Sequence, residues 1–213
     1  RGWIKTWLFL KRCHAFINLI ENDRISLERV FPMKKKSFVA PVPSDPQKDI
    51  NYIDYPIKNI SSPIKILVGN SATKENQHID VYNILSKFKN DKIEIYSALS
   101  YGDPLYRDYV IEYGKNIFGE KYHPVVDFMP ITDYIKFLYS MDVAVFNNNR
   151  QQALGNIYML LGLGKKIYIR DDTSMWESLK NMGFLFGNIS SISDLSLSDF
   201  PKISFNDISI NKK

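Results

Sequence analysis

From residue 64 onward, short apolar runs alternate with segments whose apolar residues recur every three or four positions. The runs IKILVG (64–69), KIEIYSAL (92–99), PVVDF (124–128), DVAVFN (142–147) and KKIYI (165–169) read as strands, with FLFG (184–187) as a last short one. Between them, 73–89 sets Ile79, Tyr82, Leu85 and Phe88 on one helical face, and 104–118 opens with Pro104 in its first turn. Further helices are predicted over 131–140, over 151–163 with Leu154, Ile157, Tyr158 and Leu161 in one row, and over 174–182. This alternation predicts an α/β fold, a Rossmann-like parallel sheet with helices on both faces. Strands that are apolar throughout fit a sheet buried on both sides. Ligands of such sheets bind beyond the carboxyl ends of the strands, where the strand order reverses. Candidate chemistry therefore belongs in the loops that follow strands.

The pattern before residue 64 is different. Segment 3–20 predicts one amphipathic helix, with Trp3, Trp7, Leu10, His14 and Ile17 in one row and Ile4, Leu8, Phe16 and Ile20 in a second. Such a helix either packs on the rest of its own domain or lies on a membrane surface. Segment 32–63 carries Pro32, Pro41, Pro43, Pro46, Pro56 and Pro63 and keeps no helical or strand period, so it reads as an extended connector. The expected organisation is a partial N-terminal helical segment over 1–31, the connector over 32–63, the Rossmann-like domain over 64–200 and a tail over 201–213. A chain that opens on Arg1 reads as a fragment or a processed form.

Charge and cysteine content narrow the setting. The net charge is +5 over 213 residues. Lys5, Lys11, Arg12, Arg24, Arg29, Lys34, Lys35 and Lys36 cluster near the N-terminus, which favours an anionic partner there, a phosphate group or an anionic membrane. The single cysteine, Cys13, can form no disulfide within the chain, in keeping with a reducing compartment. No Cys/His cluster has zinc spacing. No apolar run approaches the roughly 20 residues that span a bilayer. Lys11, Arg12 and His14 interrupt any signal-peptide core. The expectation is a cytoplasmic protein with no nucleic-acid partner.

Three loops carry candidate residues. Gly69, Asn70 and Ser71 follow the first strand; Gly69 permits close backbone approach, and Ser71 or Thr73 can cap the next helix. A well-capped turn explains this loop without a ligand. His78 is expected on the polar side of that helix, at the surface rather than in catalysis. The second loop offers Tyr101 for stacking on a base or sugar, with Gly102 for a tight turn. The richest loop is 147–152, six consecutive polar residues at the end of a strand. Arg150 presents a planar fork suited to phosphate, and the amides of Gln151, Gln152 and Asn156 can reach sugar hydroxyls. Gly155 early in a helix costs roughly 1 kcal/mol relative to alanine, which points to a ligand passing close by.

Other motifs carry less. Gly162-Leu163-Gly164-Lys165 ends a helix rather than opening one, so it is a helix C-cap and not a phosphate loop. The first turn has no G-x-G-x-x-G, which argues against a dinucleotide cofactor. Nothing near Asp171 and Asp172 completes a metal site, and no nucleophile elbow is present.

GNS at 69–71, Asn76-x-His78, and R-Q-Q-x-x-G-N at 150–156, preceded by D-Y-I-x-F-L at 133–138, resemble glycosyltransferase family 56 over about 64–187. The resemblance implies the C-terminal domain of a GT-B fold, an inverting mechanism, and no metal or cofactor beyond the nucleotide-sugar donor, dTDP- or UDP-linked. It implies transfer of a deoxyamino sugar such as 4-acetamido-4,6-dideoxygalactose to a polyprenyl-diphosphate-linked glycan, in bacterial surface polysaccharide synthesis at the inner face of the inner membrane. Gly69, Asn70, Ser71 and His78 would line the donor site, and Arg150, Gln151, Gln152, Gly155 and Asn156 would close around diphosphate and sugar. Residues 1–31 would be the remnant of the N-terminal acceptor domain, which would also supply the general base. The run Asn147-Asn148-Asn149 departs from the family and leaves the donor sugar open. A non-catalytic nucleotide-binding module and a sugar-nucleotide epimerase remain the competing readings.

Overall fold

The computed structural model describes residues 2–32, 35–40 and 62–211. The chain opens with helix α1 (Gly2–Arg12), strand β1 (Ala15–Asn18), helix α2 (Glu21–Val30) and strand β2 (Lys36–Val39). The single helix expected over 3–20 thus ends at Arg12. Residues 15–18 alternate between exposed and half-buried, which is a strand period, and Phe16 and Ile17 suit a strand better than a helix. β1 and β2 pair in parallel from Ala15↔Lys36 to Asn18↔Val39, so 15–39 forms a small βαβ unit. β2 falls inside the segment read as a connector, whose Pro41, Pro43, Pro46 and Pro56 lie outside the described residues. The expected amphipathicity of α1 is realised weakly: Trp7 and Leu10 are half-buried, while Trp3 and Phe9 are exposed.

The main sheet is parallel throughout. It comprises β3 (Ile64–Val68), β4 (Ile93–Ala98), β5 (Tyr122–Val125), β6 (Val143–Phe146), β7 (Lys166–Ile169) and β8 (Gly187–Asn188), in the order β5-β4-β3-β6-β7-β8. The predicted α/β class and parallel sheet are borne out. Alternate strand residues feed two cores. Ile66, Val68, Val143 and Val145 face one side, with Tyr82 and Leu85 of α3 (His78–Leu85) and Val110 of α4 (Pro104–Phe118). Leu67, Ala144 and Phe146 face the other, with Leu138 of α5 (Ile131–Ser140), Ile157 and Leu161 of α6 (Leu154–Gly162), and Leu179 of α7 (Ser174–Asn181). All of these side chains are fully buried, each worth roughly 1.5–3 kcal/mol for the larger ones.

Several boundaries move for local reasons. The helix expected over 73–89 is broken by Gln77, which sits in the left-handed region at φ 52°, so a 3-10 turn at Lys74–Asn76 precedes α3. The helix expected from 151 starts at Leu154, because Ala153 is also left-handed at φ 61°. β5 lies two to three residues earlier than expected; its Pro124 is tolerated because β5 is an edge strand. The last strand shifts from 184–187 to Gly187–Asn188, since Phe184 and Phe186 instead pack against Tyr158 and Trp176.

The segment read as a tail is part of the domain. It forms α8 (Phe205–Asn211), and the buried Asn211 side chain bonds the backbone of Leu185 through both Oδ1 and Nδ2, each at 2.8 Å. The N-terminal unit is fastened to the sheet domain through α2 and α7. Ser178 Oγ donates to Asn22 Oδ1 at 3.0 Å, Ser174 Oγ donates to Asp23, and Ile20 is buried in the second core. No helix among the described residues is long and apolar enough to cross a membrane.

Candidate functional site: a cleft at the switch point

The chain runs outward from β3 through β4 to β5, then returns to the other side of β3 at β6. The order therefore reverses between β3 and β6, and their following loops frame the place where a ligand is expected. The loop after β3 is organised by a residue inside it. Asn76 is fully buried; its Oδ1 accepts from Asn70 N at 2.8 Å, and its Nδ2 donates to Ser71 Oγ at 3.0 Å and Thr73 Oγ1 at 2.9 Å. The hydroxyls of Ser71 and Thr73 are thus not helix caps, as expected, but acceptors of this amide.

Gly69 has φ +67°, and a Cβ there would lie 2.6 Å from His78 Nε2 and 2.8 Å from Asn76 Oδ1. Its lack of a side chain is required by internal packing. His78 was expected at the surface and is fully buried behind this loop. Its Nδ1 lies 3.4 Å from the Tyr106 hydroxyl, while Nε2 is buried with no hydrogen-bond partner. Burial lowers its pKa from 6.5 to about 4, so the ring is neutral at physiological pH.

The loop after β4 is laced to the first. Ala72 and Gly102 form a parallel bridge, Ala72 N donates to Tyr101 O at 2.7 Å, and Asp103 N donates to Ala72 O at 2.8 Å. At Gly102, with φ +123°, a Cβ would fall 2.4 Å from Ala72 O. Asp103 then caps α4 by accepting from Leu105 N at 2.9 Å. The Tyr101 ring is exposed, and its hydroxyl accepts from Asn70 Nδ2 at 2.8 Å.

The polar run after β6 splits into two roles. Asn147 and Asn148 are buried; Asn148 Nδ2 approaches Asn70 Oδ1 at 3.4 Å, and Asn149 N donates to Glu75 O at 2.9 Å. Asn148 and Asn149 thus tie this loop to the first. Arg150 is exposed, and its Nη1 donates to the neighbouring Gln151 carbonyl at 3.4 Å. Gln151 and Gln152 are half-buried, and Gln152 Oε1 is buried without a partner. Gly155 is exposed at the start of α6, and a Cβ there would meet nothing within 4 Å. Asn156 Nδ2 donates to the Tyr134 hydroxyl at 2.8 Å.

A cleft of about 270 Å³ opens beside these loops. Asn70, Tyr101 and Asn156 line it among the residues singled out from sequence. Gly69, Ser71 and His78 form the layer beneath, and the exposed Gly102, with Arg150, Gln151, Gln152 and Gly155, lies outside its lining. The rest of the wall comes from Ala98 and Ser100 at the end of β4, from Val125, Asp127, Phe128 and Met129 at the end of β5, and from Ile131 and Tyr134 of α5. Sequence reasoning passed over the loop after β5. The available signal was Phe128 and Ile131, large apolar side chains at and just past the expected end of strand 124–128, which prove to be among the most exposed of the described residues. Among the described residues no three His, Cys, Asp or Glu side chains gather as a metal site requires.

A Rossmann-like parallel sheet with a cleft at its switch point, lined by amides and by apolar side chains, defines an α/β domain that binds its ligand beyond the strand ends. The comparisons with known proteins sharpen this. The sequence profile described as 4-alpha-L-fucosyltransferase, glycosyl transferase group 56, matches residues 33–195, and the chain belongs to that glycosyltransferase family. Solved structures with the same fold include a glycosyltransferase from Rickettsia africae ESF-5, at 15% identity and TM-score 0.69 over 92% of this chain and 55% of that one. An alpha,alpha-trehalose-phosphate synthase (UDP-forming) from Burkholderia vietnamiensis matches at 8% identity and TM-score 0.69, over 98% and 58%. An E. coli structure described as trehalose-6-phosphate bound with UDP-2-fluoro glucose matches at 12% identity and TM-score 0.67, over 93% and 55%. These neighbours are GT-B glycosyltransferases, and the chain spans little more than half their length.

Proposed function

We infer that the cleft holds the nucleotide-sugar donor of an inverting, metal-independent glycosyl transfer. The observation that carries this is its position at the switch point, with the amides of Asn70 and Asn156 on one wall and the apolar Phe128 and Met129 on the other. The nucleoside would lie at the Phe128 end, where Asp127 can accept from ribose hydroxyls or a base N–H. The diphosphate would lie at the Asn70–Asn156 end, near the start of α6, whose free N–H groups favour anions. Arg150, exposed on the adjoining loop, would swing onto the diphosphate as charge builds there. In the transfer, the bond from the sugar's anomeric carbon to the diphosphate oxygen breaks and its electron pair stays with the diphosphate. An acceptor hydroxyl oxygen bonds the anomeric carbon and gives its proton to a general base, which we assign to the other domain of a GT-B enzyme.

We further propose a dTDP- or UDP-linked deoxyamino sugar such as 4-acetamido-4,6-dideoxygalactose as donor and a polyprenyl-diphosphate-linked glycan as acceptor, in bacterial surface polysaccharide synthesis. Contact with the inner face of an anionic membrane would follow; exposed Trp3, Ile4 and Phe9 beside Lys5, Lys11 and Arg12 on α1 favour it. Sedimentation with anionic liposomes tests that contact, and no co-sedimentation of the chain removes it. The donor assignment is tested by calorimetric titration with dTDP, UDP, GDP and CMP. Binding of dTDP or UDP in preference to the other two is the expected result; equal or absent binding of all four overturns it.

A further inference from the structure

We propose that the hydroxyls of Tyr101 and Tyr134 act as a pair of hydrogen-bond donors that grip the donor's diphosphate as it leaves, an assignment that rests on the nucleotide-sugar reading above. Each hydroxyl has only part of its hydrogen-bonding capacity committed within the fold. A phenol has one proton to donate and an oxygen that accepts, whereas an amide nitrogen only donates. Asn70 Nδ2 donates to Tyr101 and Asn156 Nδ2 donates to Tyr134, both at 2.8 Å. In both pairs the phenol is the acceptor, so its own proton remains available. The amide of Asn70 is held in this sense because its Oδ1 receives Asn148 Nδ2 at 3.4 Å.

All four side chains line the same cleft, and they reach it from different elements. Asn70 and Tyr101 come from the loops after β3 and β4, Tyr134 from α5, and Asn156 from the first turn of α6. The cleft thus offers two unspent O–H protons beside a helix N-terminus. A base edge or a sugar presents donors as well as acceptors; a diphosphate presents acceptors only, and matches this pair. Asp127, at the β5 end of the cleft, repels an anion and fixes the direction in which the nucleotide lies. Burial pushes the Tyr134 hydroxyl up to about 12, with neighbouring Tyr101 adding to the rise, so its proton is retained throughout the physiological range. Neither tyrosine transfers a proton. Each shortens its hydrogen bond as the electron pair of the breaking bond moves onto the diphosphate, which is the point at which such a bond lowers a barrier.

The test is calorimetry of the full 213-residue chain with dTDP and dTMP, or UDP and UMP where the uridine nucleotide binds better, comparing wild type with Tyr101→Phe and Tyr134→Phe. A hydrogen bond to a charged oxygen is worth about tenfold in affinity. Each variant is expected to stay folded, with a fall of a few degrees at most in melting temperature as the Asn70 or Asn156 amide turns to water in the cleft, and to lose about that factor for the diphosphate, with a clearly smaller loss for the monophosphate. Unchanged diphosphate affinity in both variants overturns the proposal and leaves the nucleotide-sugar reading standing. Equal loss for diphosphate and monophosphate also overturns it, because the hydroxyls would then serve the nucleoside or the fold. Failure of wild type to bind any of the four nucleotides overturns the nucleotide reading and this assignment with it.

Discussion

Replacing Asn76 with alanine should cost about 3 kcal/mol and loosen the cleft from beneath. Alanine removes the acceptor for Asn70 N at 2.8 Å and the donor to Ser71 Oγ and Thr73 Oγ1 at 3.0 and 2.9 Å. The two hydroxyls recover part of their loss, since they already lie 3.3 Å apart and can bond each other. The Asn70 N–H has no second acceptor among the described residues, and a buried donor left unpaired costs about 1–3 kcal/mol. The vacated volume adds on the order of 1 kcal/mol. In a chain of this size each kcal/mol lowers the melting temperature by about 2–4 °C, so a fall of roughly 6–12 °C is expected. Nucleotide affinity should fall with it, because Asn70 carries the amide that holds Tyr101. Asn76→Asp separates hydrogen bonding from bulk: the carboxylate still accepts from Asn70 N, and both hydroxyls can turn and donate to it. The aspartate variant should therefore be much milder at neutral pH. A melting temperature within about 2 °C of wild type for Asn76→Ala, or equal damage from both substitutions, would refute the reasoning.

Three further outcomes follow from the same geometry. His78 is buried neutral with its pKa lowered from 6.5 to about 4, so the unfolded chain binds the proton more readily. Its contribution to stability is full above pH 6.5 and is lost as pH falls toward 4, by up to about 3 kcal/mol; urea unfolding across that range should show the slope, and His78→Gln should flatten it. Gly155→Ala places its Cβ in open space within a helix, so it should raise stability by roughly 0.5–1 kcal/mol while weakening nucleotide binding; stronger or unchanged binding would show that no ligand passes there. Arg150→Ala removes an exposed side chain, so stability should stay within about 0.5 kcal/mol of wild type while dTDP or UDP affinity falls about tenfold; retained affinity in calorimetry would sink its phosphate role.

The sheet was readable because its strands are buried on both faces and their apolar runs are short, continuous and punctuated. Ile64–Val68 and Val143–Phe146 were placed to within a residue or so for that reason. Helix starts were harder, since a helical period cannot reveal a left-handed residue. Gln77 and Ala153 each break the helix at such a point, and neither is the glycine or asparagine that would signal it. At the N-terminus, Ile17 and Leu10 fit one helical row, yet a turn at Cys13–His14 puts them in different elements. The partner strand β2, which makes residues 15–18 a strand, lies some twenty residues further on, and no local period announces it.

The candidate site exposes a more general ambiguity, between polarity that faces a ligand and polarity that faces the fold. A run such as Asn147–Asn148–Asn149 suggests ligand contact because packing alone rarely recruits so many amides. Here two of the three are buried; Asn148 joins the β6 loop to Asn70, and the exposed Asn149 joins it to Glu75 through its backbone N–H. The same holds for Ser71 and Gly69, whose roles are set by Asn76 and His78 beneath them. This inward network is what allows a loop crossing to be rigid without apolar packing, because every buried amide that finds a partner also fixes its neighbour's orientation. The cost is that such residues read like ligand contacts in sequence. Asn70, Tyr101 and Asn156 line the cleft as their polarity suggests, but Tyr134, Phe128 and Met129, which share the lining, read like core. Polarity alone sorts these residues only in part, and the three-dimensional meeting of β3, β4, β5 and α6 separates them.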